Sequence, residues 1–241
     1  INGNLVSVND NILKGNNRSF LYGDGIFESM HANASKIQFV DNHFARLIDS
    51  AQKLKYEIPP GFNIAYIKRE TERMLHKNRY FKGARIRLNM YRNEGGLYTP
   101  AQNSVSWIIL GSKLGKEKYS LNKKGLSIGI YDKILKPVNL FSNIKTSNSL
   151  LYVMAGLYKK ENSFDDVLIV NETGNIVEAL SSNIFVLIDN KVITPALSSG
   201  PVSGIMRKII INILKLIGYD VEFKDVTEKI LLSAEEVFLT N

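Results

Sequence analysis

Apolar residues recur at two periods along this chain, and the switch between them predicts a mixed α/β fold. Ile1-Asn2-Gly3-Asn4 is turn chemistry, and the alternating Leu5-Val6-Ser7-Val8 after it predicts a short strand and hairpin. Tyr22-Gly23-Asp24-Gly25 breaks the chain before a second apolar run, Ile26 to Met30. From Asp41 the period changes. Phe44, Leu47, Ile48, Ala51 and Leu54 share one helical face, with Asp41 or Asn42 as cap and Pro59-Pro60 as stop. Residues 62–78 predict a second helix, and Ala84 to Tyr91 and Val105 to Leu110 predict strands.

Residues 111–124, lysine-rich with Gly111 and Gly115, predict a linker between a lobe spanning 1–110 and one spanning 125–241. In the second lobe Leu126 to Tyr131 predicts a strand and Leu150 to Lys160 a helix. Val167 to Val170 predicts a buried strand ending in the Asn171-Glu172-Thr173-Gly174 turn. Ile184 to Ile188 and Lys191 to Thr194 predict a strand pair joined across Asp189-Asn190. Ser203-Gly204 opens an apolar helix through Ile217, closed by Gly218. Glu236 to Asn241 reads as strand, so the native chain is expected to run on.

With 44% hydrophobic residues the 241-residue chain can build a sizeable core, which excludes disorder. No apolar run approaches the ~18 residues of a membrane span, so a soluble, cytoplasmic protein is expected. No charged-then-apolar leader opens the chain, and with Ile1 in first place a few preceding residues are expected. The absence of cysteine excludes a thiol nucleophile, and His31, His43 and His76 lack metal-site spacing, so no metal is expected. The net charge of +8 is scattered, as in Lys159-Lys160-Glu161, with no basic stripe interleaved with aromatics. That argues against nucleic acid and leaves a field suited to small anionic substrates or a phosphorylated cofactor.

Four features carry chemistry, each beside a plainer reading. Lys145, in the polar stretch Ser142 to Asn148 before a helix, is a surface lysine or a desolvated nucleophile, with Ser147 or Asn148 capping the helix. Glu178 stands between apolar residues, either facing solvent on an edge strand or buried and in need of a partner. Ser198 to Arg207 runs small residues into a helix N-terminus, which makes an ordinary capped turn or an anion site. Arg46 precedes Leu47 on the first helix, solvated or engaged.

In order and spacing these features resemble the class IV aminotransferase family, the fold type IV pyridoxal-phosphate enzymes. That family includes branched-chain aminotransferases, D-amino acid aminotransferases and aminodeoxychorismate lyases. The resemblance is carried by Tyr22-Gly23-Asp24-Gly25-Ile26-Phe27-Glu28 and His43-Phe44-Ala45-Arg46-Leu47. It continues in Ile144-Lys145-Thr146-Ser147-Asn148, Val177-Glu178, Ser182-Asn183-Ile184-Phe185, Thr194-Pro195 and Ser203-Gly204-Ile205-Met206-Arg207.

The resemblance implies a two-lobed α/β (α+β) architecture. Its N-terminal α/β lobe is the smaller, its C-terminal lobe is barrel-like, and pyridoxal 5′-phosphate lies in the cleft between them. It makes Lys145 the Schiff-base lysine that also moves the substrate proton, and Glu178 the carboxylate under the pyridine nitrogen. Arg46 becomes the phosphate clamp, Gly204, Ile205 and Met206 the helix start holding the same phosphate, and Ser182 and Thr240 further cofactor contacts. Met206 stands where many relatives have a Thr hydroxyl. Tyr22, Phe27, Arg92 and Tyr98 become substrate neighbours, and the substrate a small anionic amine.

Leu97 occupies the apparent position of the carboxylate-trapping arginine of D-amino acid enzymes, and no Gly-Gly-Asn-Tyr follows Lys145 as in branched-chain enzymes. Ser29, where lyases place a hydroxyl near the cofactor, implies a 4-amino-4-deoxychorismate lyase that eliminates pyruvate to give 4-aminobenzoate. The alternative is an amino acid aminotransferase; a more remote one is a cofactor-binding relative without turnover. The family also implies a homodimer with a shared active site. The aromatic content of the first lobe (Phe20, Tyr22, Phe27, Tyr91, Tyr98, Trp107) is consistent with that.

Overall fold

The computed structural model describes residues 1–115 and 122–241; residues 116–121, inside the expected linker, lie outside the described residues. Its contacts divide the chain into two compact units, Ile1–Leu121 with Lys145–Asn148, and Asn122–Ile144 with Ser149–Asn241.

Unit 1 is built on an antiparallel sheet in the order β2-β1-β3-β4. The strands are β1 (Gly25–Asn33), β2 (Lys36–Ile37), β3 (Ala84–Arg92) and β4 (Val105–Lys113). Strict alternation along β1 and β3 buries Ile26, Met30, Ile86, Leu88 and Met90 on one face. Helices α2 (Val40–Lys53) and α3 (Ile64–Lys77) supply Leu47, Ala51, Ile67 and Leu75 to the same core. The opposite face carries Phe27, Ser29, Arg85, Arg87 and Asn89, with Phe27 paired to Asn89 and Ser29 to Arg87 in register.

Leu5–Val8 is not a strand. Leu5, Val6 and Val8 are exposed, and the β4 backbone near them is taken by Asn2, which exchanges hydrogen bonds with Trp107 at 3.0 and 2.9 Å. Neither Asp41 nor Asn42 caps α2. The cap is Phe39, in a left-handed conformation (φ 51°) without a side-chain bond. Periodicity marked the helix, but the tight turn entering it carries no capping signature. The chain also forms the unforeseen short helix α1 (Arg18–Tyr22), capped by Asn17 at one end and left-handed Gly23 at the other.

Unit 2 holds two sheets, β5-β6-β7 and β10-β9-β8-β11. Their strands are β5 (Ile128–Lys136), β6 (Asp166–Asn171), β7 (Ile176–Ala179), β8 (Asn183–Ile188), β9 (Lys191–Thr194), β10 (Asp220–Phe223) and β11 (Glu236–Thr240). Leu168, Val170, Ile176, Ile184, Val186 and Ile193 form a shared core, and Phe185 stacks on Phe238 with centroids 4.9 Å apart. The helices are α4 (Leu150–Glu161), α5 (Ile205–Leu216) and α6 (Glu228–Leu232). Neither Ser147 nor Asn148 caps α4; the cap position is Ser149, whose side chain makes no capping hydrogen bond. β10 and α6 have no counterpart in the sequence pattern. β10 is four residues long, and its parallel pairing with β9 exists only because α5 returns the chain to that edge. Among the described residues no helix is long and apolar enough to cross a membrane.

Candidate active site

In unit 1 the Lys145 segment runs beside the start of β1. The Phe27 N–H donates to the Lys145 carbonyl at 2.9 Å, Ser147 N–H to the Gly25 carbonyl at 2.8 Å, and Ile26 bridges Thr146. This approach explains the glycines of Tyr22-Gly23-Asp24-Gly25. A Cβ on Gly25 would lie 2.7 Å from both Ser147 Oγ and Ser19 Oγ, and Gly23 is left-handed (φ 67°) with Asn148 beside it.

Between them Asp24 accepts from Arg18 Nε and Arg92 Nε, each at 2.9 Å, and from Tyr56 Oη at 3.1 Å. Burial opposes its ionisation, but the hydrogen bonds from Arg18 and Arg92 outweigh that and hold its carboxyl below the ordinary value. Arg18 also donates to the carbonyls of Gly95 and Leu97 at 3.0 and 2.7 Å, pinning that loop.

Two basic side chains approach the Phe27 ring. Lys145 Nζ is 4.9 Å from its ring centroid and the Arg87 guanidinium carbon 3.7 Å. One residue pair along the same face, Arg85 Nε donates to Ser29 Oγ at 3.1 Å. Burial, and then the charge of Arg85, push the Arg87 guanidinium below its ordinary value, so this face favours an anion. Arg85 and Arg87 went unmarked in the sequence. Their alternation on β3 was the available signal, but it becomes chemical only when β1 brings Phe27 and Ser29 alongside.

On the helix-covered face, Glu28 is 2% exposed. Arg46 grips it through Nε at 2.7 Å and Nη2 at 2.5 Å, and His43 Nδ1 meets it at 2.6 Å. Glu28 therefore orients one edge of the Arg46 fork, a role the sequence did not mark.

Burial works against ionisation of Glu28 too, yet the bonds from Arg46 and His43 hold it below the ordinary value. A carboxylate depressed by folding adds stability that is fully present above its unfolded pKa, about 4.3, and lost as pH falls through the lower folded value. The thermal midpoint is expected to hold between pH 7 and 5 and to fall below about pH 4. Glu28→Gln should blunt that acid limb; an unchanged limb would place the sensitivity elsewhere.

Arg92, expected at the substrate, is committed to the scaffold. Its three nitrogens donate to Asp24, Asn103 and the Leu54 carbonyl, and its guanidinium lies over Tyr56. A residue 8% exposed with those partners is a strut. Tyr22 and Tyr98 do meet, with centroids 5.6 Å apart, and Tyr98 is 91% exposed.

In unit 2 Glu178 is buried on β7, so its solvent-facing reading is wrong. Its Oε1 accepts from Lys136 Nζ at 2.5 Å and Tyr152 Oη at 2.6 Å, and its Oε2 from the Val202 N–H at 2.7 Å. Asn183, its neighbour across the Ser182 turn, donates to the Val202 carbonyl at 2.9 Å. The 202–204 segment thus ties Glu178 to the start of α5.

That helix start has no side-chain cap and no acid in its first turn. A Cβ on Gly204 would lie 1.8 Å from Asn183 Oδ1, so only glycine fits. Thr240 pairs with Asn183 in register, and its buried Oγ1 has no partner among the described residues. Uncapped amides and an orphaned hydroxyl together suit a phosphate.

The Amino-transferase class IV family profile matches residues 25–241. The chain belongs to the class IV amino-transferase family. An aminodeoxychorismate lyase of Vibrio harveyi is 25% identical over 226 residues, covering 93% of this chain and 81% of that protein. A D-alanine aminotransferase of Bacillus licheniformis is 26% identical over 246 residues, covering 100% and 83%. In structure the chain is similar to a branched-chain aminotransferase of Thermoproteus uzoniensis, with TM-score 0.90 at 22% identity over 100% of this chain and 82% of that one. The protein has the fold type IV architecture and is a pyridoxal-phosphate-dependent enzyme. The Glu178 carboxylate and the α5 helix start fit the two charged ends of that cofactor.

Proposed function

We propose that this class IV enzyme acts on the amino group of a small anionic substrate as a 4-amino-4-deoxychorismate lyase, releasing pyruvate and 4-aminobenzoate. The observation that carries this reading is Ser29, on the strand face that presents Phe27 to Lys145. Because its oxygen accepts from Arg85, its hydroxyl proton is left to donate. Pyruvate elimination needs a proton delivered to the departing enolpyruvyl group; amino transfer needs none beyond the one Lys145 moves.

Pyridoxal phosphate supplies the electron sink when bound. Lys145 would hold its aldehyde carbon and would take the proton from the amine-bearing carbon of the substrate. Glu178 would keep the ring-nitrogen proton in place. Arg46, the Ile205 and Met206 amides and Thr240 would hold the phosphate, and Ser182 would flank the cofactor. Arg85 and Arg87 attract the substrate carboxylates.

Those two arginines would equally suit a dicarboxylic 2-oxo acid, which supports an aminotransferase as the second reading. Incubation with aminodeoxychorismate, beside L- and D-amino acids with 2-oxoglutarate, separates them. The lyase forms 4-aminobenzoate without a 2-oxo acid, and Ser29→Ala slows it by about 10²-fold with cofactor loading intact. Amino transfer alone, indifferent to Ser29→Ala, would establish the second reading.

We also infer a homodimer. Leu150, Val153, Met154 and Leu157 of α4 are 66, 55, 39 and 47% exposed at helical spacing, an apolar stripe suited to a second copy. Light scattering at micromolar concentration should give twice the 27.1 kDa chain mass; a fully active monomer would refute it.

A further inference from the structure

Lys136 is an unusual residue to bury. It is 5% exposed, at the last position of β5, with its Nζ on Glu178 Oε1 and 5.7 Å from the Tyr152 ring. The Tyr152 ring packs against the apolar cluster of Tyr131, Ala155, Val167, Ile169 and Val177, to which Lys136 adds no apolar side chain. A buried ion pair rarely adds net stability, because desolvating both charges offsets their attraction. Its presence asks for another reason.

The acceptor arithmetic of Glu178 supplies one. A carboxylate offers about four acceptor positions, two per oxygen. Lys136 and Tyr152 fill both on Oε1, and Val202 fills one on Oε2. One position on Oε2 remains. The titratable groups meeting Glu178 are Lys136 from β5 and Tyr152 from α4; β6 contributes only the apolar Ile169 as its register partner.

We propose that Lys136 and Tyr152 are positioning residues that keep Glu178 ionised and turned so that only Oε2 can accept the cofactor's ring-nitrogen proton. This rests on the assignment of Glu178 to that nitrogen. Lys136 offsets the cost of an anion in a dry site before cofactor arrives, and Tyr152 stops the carboxylate rotating. Burial, and then the charge on Glu178, push the Tyr152 hydroxyl above its ordinary value, so it stays a donor at working pH. Lys136 also moderates the pull of Glu178 on the ring proton, since its charge stabilises the carboxylate by itself.

The test compares apo and cofactor-loaded forms of wild type, Lys136→Met, Lys136→Arg, Tyr152→Phe and Glu178→Gln. Two readouts are used: the apo thermal midpoint from pH 6 to 8, and the pH titration of the loaded protein's visible absorbance. Without Lys136 the buried carboxylate loses the cation that meets it. The apo midpoint of Lys136→Met should therefore fall by about 6 °C or more at pH 8. Its absorbance should titrate at a shifted pH. Tyr152→Phe should shift it less, and Lys136→Arg should restore both readouts.

An unchanged titration in Lys136→Met and Tyr152→Phe overturns the proposal, as does an unchanged apo midpoint in Lys136→Met. Should Lys136→Met fail to fold, Tyr152→Phe, which removes one hydroxyl, carries the test. Glu178→Gln separates the two levels. If it leaves the titration unchanged, the assignment of Glu178 itself fails; if it shifts the titration and the positioning variants do not, only the positioning fails.

Discussion

Lys145→Ala is expected to abolish the visible absorbance of the lysine-linked cofactor and to lower turnover by about 10⁵-fold or more. Two losses combine. The variant cannot fix the cofactor through its aldehyde carbon, and it has no amine to move the substrate proton. A correctly placed amine is worth an effective concentration of about 10⁵ M or more. The fold should survive. Lys145 is joined to β1 through its backbone carbonyl, which accepts from Phe27, and an alanine there keeps that bond. Absorbance spectra, borohydride reduction followed by peptide mapping, and single-turnover assays check it. A borohydride-reducible cofactor linkage that persists in the variant would place the attachment on another lysine and overturn the reading of Lys145.

Glu178→Gln is expected to cut turnover by about 10³-fold while changing cofactor affinity far less. The amide keeps the shape but not the charge, so the ring nitrogen loses the anion that keeps it protonated in a dry site. The groups proposed to hold the phosphate are separate side chains and amides, the uncapped α5 start and Thr240 among them. The variant also leaves the Lys136 ammonium buried without its counterion, so some loss of thermal stability should accompany the kinetic loss. Separate measurement of the cofactor dissociation constant and kcat distinguishes the two effects. Wild-type activity in Glu178→Gln would remove Glu178 from the reaction.

The pairing of Lys136 with Glu178 shows what pattern reading lacks. A carboxylate among apolar residues signals burial only if something satisfies it, and the partners come from β5 and α4, 42 and 26 residues away. The same holds for Glu28. Its burial depends on α2 presenting His43 and Arg46 to β1, two elements visible singly but not as a pair. Arg92 fails in the opposite direction. Its neighbourhood of glycines and Tyr98 resembles a substrate loop, yet Asp24, Asn103 and the Leu54 carbonyl draw it into the scaffold.

What the sequence by itself determined is the set of elements with sustained periodicity and the family. The periodic elements are helices α2, α3, α4 and α5 and the strands β3, β4, β5, β6, β8, β9 and β11. These are local properties: 3.6- or 2-residue alternation and backbone steric demand act over a few neighbouring residues. The tertiary structure alone decided which strand face carries Phe27, Ser29 and Arg87 and that Lys145 meets it, that β10 returns parallel to β9, and which charges are buried in pairs. The physical reason is that an ion pair, a strand register or a parallel crossover is a relation between distant segments. Its free energy exists only after chain closure has brought both sides together and removed the water between them.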